Sequence, residues 1–192
     1  MMAQKYTSKP IRLSPAMRRA AFRRAVLQLH QVDHSGASFQ ARIFFNNPRA
    51  NENTPTTLEQ GYAGRFHVFG HGRCWGDPGH CDVPTERRPF DPRSPHPLTP
   101  REVEVVVTDA LRKVALESET VTITVVPVIY AATDERDRKD CFHFKNLTLL
   151  LRSSQGLLEG PFPESRSDIP VEPPAALVAE KSQAKPSRKR RK

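Results

Sequence analysis

Residues 101–128 read REVEVVVTDALRKVALESETVTITVVPV. Val103, Val105 and Val107 alternate with Glu102, Glu104 and Val106, the period of two that belongs to a strand with one buried face. Thr108 and Asp109 then stand in cap position ahead of a short helical turn, DALRKV. Val121, Ile123 and Val125 alternate with Thr122 and Thr124 and predict a second strand. Pro127 confines that strand to an edge or an end, because proline has no N–H to give to a ladder.

The same period recurs on both sides. In SFQARIFFNNP (38–48), Phe39, Ala41, Ile43 and Phe45 share a face, and Asn46-Asn47-Pro48 closes the strand with turn chemistry. A polar loop, RANENTPTTLEQG, leads to YAGRFHVFGHG (62–72), where Phe66 and Val68 face one way and His67, Phe69 and His71 the other. In CFHFKNLTLLLRS (141–153), Phe142 and Phe144 change parity to Leu147, Leu149 and Leu151, which predicts a bulge near Lys145–Asn146. Strands without intervening helices of ten or more residues predict a mostly β chain: an antiparallel β-sandwich of jelly-roll or immunoglobulin-like type.

Three segments follow from composition. Residues 1–32 are a basic arm, with a helix expected at about 15–30: Ser14 caps it, Pro15 opens it, and Phe22, Val26 and Leu29 form its apolar stripe. Residues 33–153 form the sandwich. Residues 154–192 are rich in Pro, Ser, Glu and Lys and are expected to remain a disordered tail. Charge follows the same division. Seven Lys/Arg without an acid lie in 1–32 and seven more in 181–192, so a total of +9 leaves the middle at −5. A nucleic-acid reader usually carries its basic face on the folded surface. Here such contact would fall to the tail residues Lys185, Arg188, Lys189, Arg190, Arg191 and Lys192. No apolar run approaches the ~18 residues of a membrane span, and no signal-peptide core follows Met1, so a cytoplasmic location is expected.

The stretch FHVFGHGRCWGDPGHCDVP (66–84) concentrates metal-ligand types. Thiolate with imidazole suits Zn(II) or Cu(I). His67 and His71 are about 13 Å apart on an extended chain at ~3.3 Å per residue, so His71, Cys74, His80 and Cys81 form the easier ligand set. A Cys74–Cys81 disulfide and a rigid hydrogen-bonded loop are the other readings of the same residues. No catalytic group can be named. Cys141, on an expected strand, reads as a buried apolar residue.

The order ARIFFNNP, NTP, YAGRFHVFGHG, VEVVVTDALRKVALESETVTITVVPV, FHFKNLTLLL resembles the C-terminal β-sandwich domain of tyrosinases and polyphenol oxidases, the type-3 copper enzymes. The resemblance spans roughly residues 38 to 151. A type-3 site needs two histidine triads on a helical bundle. The seven histidines here (His30, His34, His67, His71, His80, His96, His143) fall mostly on expected strands and loops. The resemblance therefore implies a non-catalytic accessory or shielding module beside a separately encoded copper oxidase. Tyr62, Phe66, Phe69, His67 and Trp75 are its candidate partner-facing or plug residues. The competing reading is a metal-binding protein, for copper delivery or with structural zinc, through the 71–81 loop. A third is a nucleic-acid-associated module acting through the basic ends.

Overall fold

The computed structural model describes residues 4–19, 22–71, 82–83, 90, 98–129 and 141–153, and the backbone of 156–159 and 164–165. The chain is mostly β with antiparallel sheets that do not close into a barrel. Its elements in order are β1 (Tyr6–Thr7), β2 (Ile11–Arg12), α1 (Pro15–Arg18), β3 (Arg24–Val32), β4 (Phe39–Phe45), the 3-10 turn η1 (Leu58–Gln60) and β5 (Tyr62–Val68). There follow β6 (Arg101–Val106), α2 (Thr108–Glu117), β7 (Thr120–Val121), β8 (Ile123–Val128), β9 (Asn146–Ser153), β10 (Gly156–Glu159) and β11 (Glu164–Ser165).

One sheet has the order β1-β8-β4-β5, and a second runs β10-β9-β3-β6, with β11 also on β9. A short pair, β2 with β7, joins the N-terminal segment to the start of β8. Alternation decides what each strand buries. Leu27 and Leu29 of β3, Ile43 and Phe45 of β4, and Leu147, Leu149 and Leu151 of β9 are all at or below 1 % exposed and belong to one apolar core. Each such side chain contributes about 1.5–3 kcal/mol by leaving water. The opposite face of β4 and β8 builds a smaller cluster of Phe44, Ala50, Val126 and Val128, with Tyr62 against it. The 46–61 loop supplies Ala50 against Val126 and Val128, and Thr7 of β1 faces Thr124, so every residue of β8 is buried although the sequence alternates.

The helix expected over 15–30 is corrected. Among the described residues of that span only Pro15–Arg18 is helical, and Arg24–Val32 is a strand between β6 and β9. RAVLQLHQV carries both periods. Ala25, Leu27 and Leu29 alternate onto one face, while Val26 and Leu29 also suit a helical stripe. Two neighbouring strands decide for the strand: Leu27 pairs with Val105 on one side and Leu149 on the other. The basic segment 1–32 is thus built into the sheets, with Leu13 and Phe22 in the core at 2 % exposure. Near its end β3 is irregular. Gln31 has a φ of 52°, the register with β6 shifts between Leu29 and Val32, and the Glu102 carboxylate accepts the Gln31 N–H at 3.2 Å while pairing with His30 Nδ1 at 2.6 Å.

Three smaller differences have local causes. Thr108 does not cap α2; its Oγ1 accepts the Ala25 N–H at 3.0 Å and ties the helix start to β3. The parity change near residue 145 is a bend before β9, where the Lys145 N–H donates to the His30 carbonyl at 2.8 Å. Regular structure also continues past 153: β10 and β11 return along β9, so the boundary expected at 154 falls inside the second sheet. Pro127 fits its constraint, since β1 reaches only Val125 and Thr124, Ser8 bonds Ile123, and that side of Val126–Val128 has no ladder partner among the described residues.

The end of β4 is held by one side chain. Asn46 takes a left-handed φ of 51°. Its Oδ1 accepts the Thr122 N–H at 2.8 Å and its own N–H donates to the Thr122 carbonyl at 2.8 Å. The side chain thereby continues the β4–β8 ladder past the strand end. Asn46→Ala is expected to cost about 2–3 kcal/mol, from the left-handed conformation and the lost bond. Asn46→Gly should cost less. Urea unfolding of the two variants checks this order.

Candidate functional site

The site grows from the end of β5. Phe66 and Val68 are buried at 8 % and 6 %, so the strand is fixed by its core face, and Phe66 packs 6.3 Å from Phe142. Parity then puts His67 and Phe69 outward. Phe69, the residue after β5, is 82 % exposed, a large aromatic standing in water. His67 is engaged differently. Buried Gln40 accepts the Arg42 Nε–H on its Oε1 at 2.8 Å and faces His67 Nε2 with its amide nitrogen at 2.9 Å. In that arrangement His67 accepts at Nε2 and carries its proton on Nδ1.

After Phe69 the chain lies along the 33–38 turn. The Gly70 N–H donates to Ser38 Oγ at 3.0 Å, and the His71 N–H donates to the His34 carbonyl at 3.0 Å. A side chain at Gly70 would overlap the backbone of Gly36 and Ala37, so only glycine allows this approach. The turn is shaped by Asp33, whose carboxylate accepts the Ser35 N–H at 2.9 Å and the Ser35 hydroxyl at 3.0 Å. The result brings His34 to His71: Nδ1 faces Nδ1 at 3.3 Å, with ring centres 5.1 Å apart. His34 is 5 % exposed and its Nε2–H donates to the Thr99 carbonyl at 2.9 Å.

Of the ligand set expected from sequence, His71 stands here, and Cys74, His80 and Cys81 lie outside the described residues, as do Trp75 and the tail residues Lys185, Arg188, Lys189, Arg190, Arg191 and Lys192. Among the described residues no group of three or more His, Cys, Asp or Glu side chains is placed to hold a metal ion. His34 was not a candidate by sequence. It lies 37 residues before His71, and no spacing rule connects the two. Tyr62 is half buried, edge-on to Phe44 with ring centres 5.7 Å apart, in the smaller apolar cluster. Cys141 is buried, as expected, but in irregular backbone ahead of β9 rather than on a strand.

A concavity of about 230 Å³ lies between the end of β4, η1 and α2, with Leu58, Glu59, Gly61, Lys113 and Glu117 on its walls. The Glu59 carboxyl is held below the ordinary glutamate range, first by its own backbone N–H, then by the Thr57 hydroxyl, with Lys113 adding a smaller attraction against slight desolvation. Its carboxylate is exposed, so this cleft holds a solvated anion rather than a tuned acid.

No family model matches the chain, and no curated protein matches it. Solved structures do. A latent aurone synthase (polyphenol oxidase) from natural source is similar at 15 % identity over 79 % of this chain, with a TM-score of 0.41. The recombinantly expressed latent enzyme is similar at 15 % over 78 %, with a TM-score of 0.43. The chain spans about a quarter of the length of these proteins, 24 % in both. None of the helices among the described residues is long and apolar enough to cross a membrane.

Proposed function

We propose that the chain is a non-catalytic accessory or shielding module, a β-sandwich of the tyrosinase C-terminal type, that binds a protein partner. The partner implied by the sequence resemblance is a separately encoded type-3 copper oxidase. Phe69 carries this reading. A phenyl ring 82 % exposed, at the end of an edge strand whose neighbouring residues are locked in the core, is a preorganised apolar contact. Such a ring loses little conformational freedom on binding and can bury a large area. The quoted pieces of the resemblance also fall on continuous elements: YAGRF opens β5, VTDALRKV joins β6 to α2, and VTITVVP runs through β7 and β8.

Co-purification from the native source should recover a helical, histidine-rich copper protein. Against that purified partner, Phe69→Ala is expected to weaken binding at least about tenfold, equivalent to ~1.4 kcal/mol. Its own unfolding free energy should stay within about 0.5 kcal/mol of the parent, because the side chain touches no core. Recovery of only unrelated proteins, or binding indifferent to Phe69, would overturn the reading.

A further inference from the structure

We propose that the end of the second sheet, where β3 begins and β9 closes, binds the phosphate backbone of a nucleic acid through Arg24 and Arg152, with Arg23 beside them. The site is independent of the accessory role. Register brings the arginines together. Arg24 stands directly opposite Arg152 in the β3–β9 ladder, and both are exposed. Ala25, Leu27 and Leu29 of β3 and Leu149 and Leu151 of β9 fill the core, so parity sends both arginine side chains to the outer face. The Arg23 N–H donates to the Arg152 carbonyl at 2.7 Å, which ties a third exposed arginine to the pair. The basic segment expected to stand apart as an arm is thereby part of a folded basic surface.

Among the described residues no carboxylate pairs with Arg23, Arg24 or Arg152, whereas the neighbouring arginines are engaged. Arg18 meets Glu119 at 3.0 Å. Arg112 meets Asp109 at 3.4 Å, donates to the Phe22 and Arg23 carbonyls at 3.4 Å each, and lies 5.8 Å from the centre of the Phe22 ring. Like charges directly opposite on neighbouring strands repel and weaken a sheet. An anion bridging Arg24 and Arg152 removes that repulsion, so the free protein is poised to accept one.

Residue type and placement select the anion. A guanidinium stays charged at every working pH, and its planar fork gives two parallel N–H bonds to a phosphate. All three arginines are exposed at the end of a sheet, so they meet a ligand laid along the surface. That suits a chain of phosphates better than a single enclosed anion. Phe22, the ring next to Arg23 in sequence, is 2 % exposed beneath Arg112 and offers no platform on which a base could stack. Contact is therefore with the backbone, salt-sensitive and indifferent to base sequence. The seven Lys/Arg of 181–192 give the same chain a second basic element that an extended polyanion can engage together with the first. Phe69 is remote from this surface. Through His71 on His34 it belongs to the Val32 end of β3, about 25 Å from Arg24 at ~3.3 Å per residue.

Full-length protein is titrated into fluorescein-labelled probes of mixed sequence, a single-stranded RNA and a DNA duplex of about 20 nucleotides, from about 50 mM salt upward. At least one probe should bind, with affinity falling as salt rises. Arg24→Gln/Arg152→Gln is expected to weaken binding about tenfold or more and to make the slope of log affinity against log salt shallower by roughly two. Its thermal midpoint should equal or exceed the parent's, since both residues are exposed and their repulsion is gone; a midpoint clearly below contradicts the repulsion on which the proposal rests. Arg101→Gln, exposed and opposite Val32 at the far end of β3, should bind about as the parent does. A protein lacking residues 181–192 should bind less tightly but stay sensitive to the double substitution. No binding of either probe, or binding unchanged in the double variant, would overturn the proposal. So would displacement of the probes by polyglutamate or phosphatidylserine vesicles at a lower concentration of charge than unlabelled nucleic acid requires, which would assign the surface to an acidic protein or to a membrane.

Discussion

Leu27→Ala is expected to lower the unfolding free energy by about 3 kcal/mol, within the ~2–5 kcal/mol range of buried leucine truncations. Leu27 is fully buried in β3, the strand flanked by β6 and β9, and its cross-strand neighbours are Val105 and Leu149. Leu27 sits on a strand held by ladders on both sides, so the space left by the side chain cannot collapse easily. Gln28→Ala, one residue on and on the half-buried outer face, should change stability by less than about 1 kcal/mol. The contrast between adjacent positions is the signature of period two. A helix across 15–30 would instead place its apolar stripe on Phe22, Val26 and Leu29 and leave Leu27 outside it. Chemical denaturation of the two variants decides between the patterns, and equal small losses at both positions would contradict the strand.

Gly61→Ala is expected to cost about 4 kcal/mol or to prevent folding at ordinary temperature. Gly61 closes η1 with a φ of 78°, a left-handed conformation that costs an L-residue roughly 1–2 kcal/mol. A Cβ there would also overlap the carbonyl oxygen of Phe45. Relief requires movement of backbone that is itself bonded, since the Phe45 N–H donates to the Gly61 carbonyl at 2.7 Å. Phe45 is 1 % exposed at the end of β4, so the displacement reaches the main core. Overpacking of this kind adds about 1–3 kcal/mol. Gly36→Ala is the matched control: nothing lies within 4 Å of its added Cβ, and it should be neutral within about 1 kcal/mol. A Gly61→Ala protein as stable as its Gly36→Ala counterpart would show that the 46–61 loop is not anchored to β4.

Period two in a sequence is legible where one face meets the core and the other meets solvent. The inward sets of β5 and β6 are of that kind, with Phe66 and Val105 buried where alternation put them; Ile43 of β4 and Leu149 of β9 are also buried where alternation put them, although the second face of each strand is partly covered as well. Phe69 and His67 point outward for the same reason. The 24–32 segment was ambiguous because Val26 and Leu29 satisfy both periods. Its charged flank, Arg23 and Arg24, also hides the alternation that begins at Ala25. β10 and β11 left no apolar signal strong enough to read; they form by pairing with β9.

The candidate site divides in the same way. Exposure of Phe69 follows from strand parity alone, a local property of the backbone. The meeting of His34 and His71 does not, because it depends on a close approach at Gly70 and on a turn shaped by Asp33, far from His71 in the chain. Alternation along the chain, a property of nearest neighbours, determined by itself that the protein is built from antiparallel strands, and which faces of most of them are apolar. Tertiary structure decided what became of residues 24–32 and which histidine stands beside His71. Both depend on partners distant in the chain, whose ladders and close contacts outweigh local propensity.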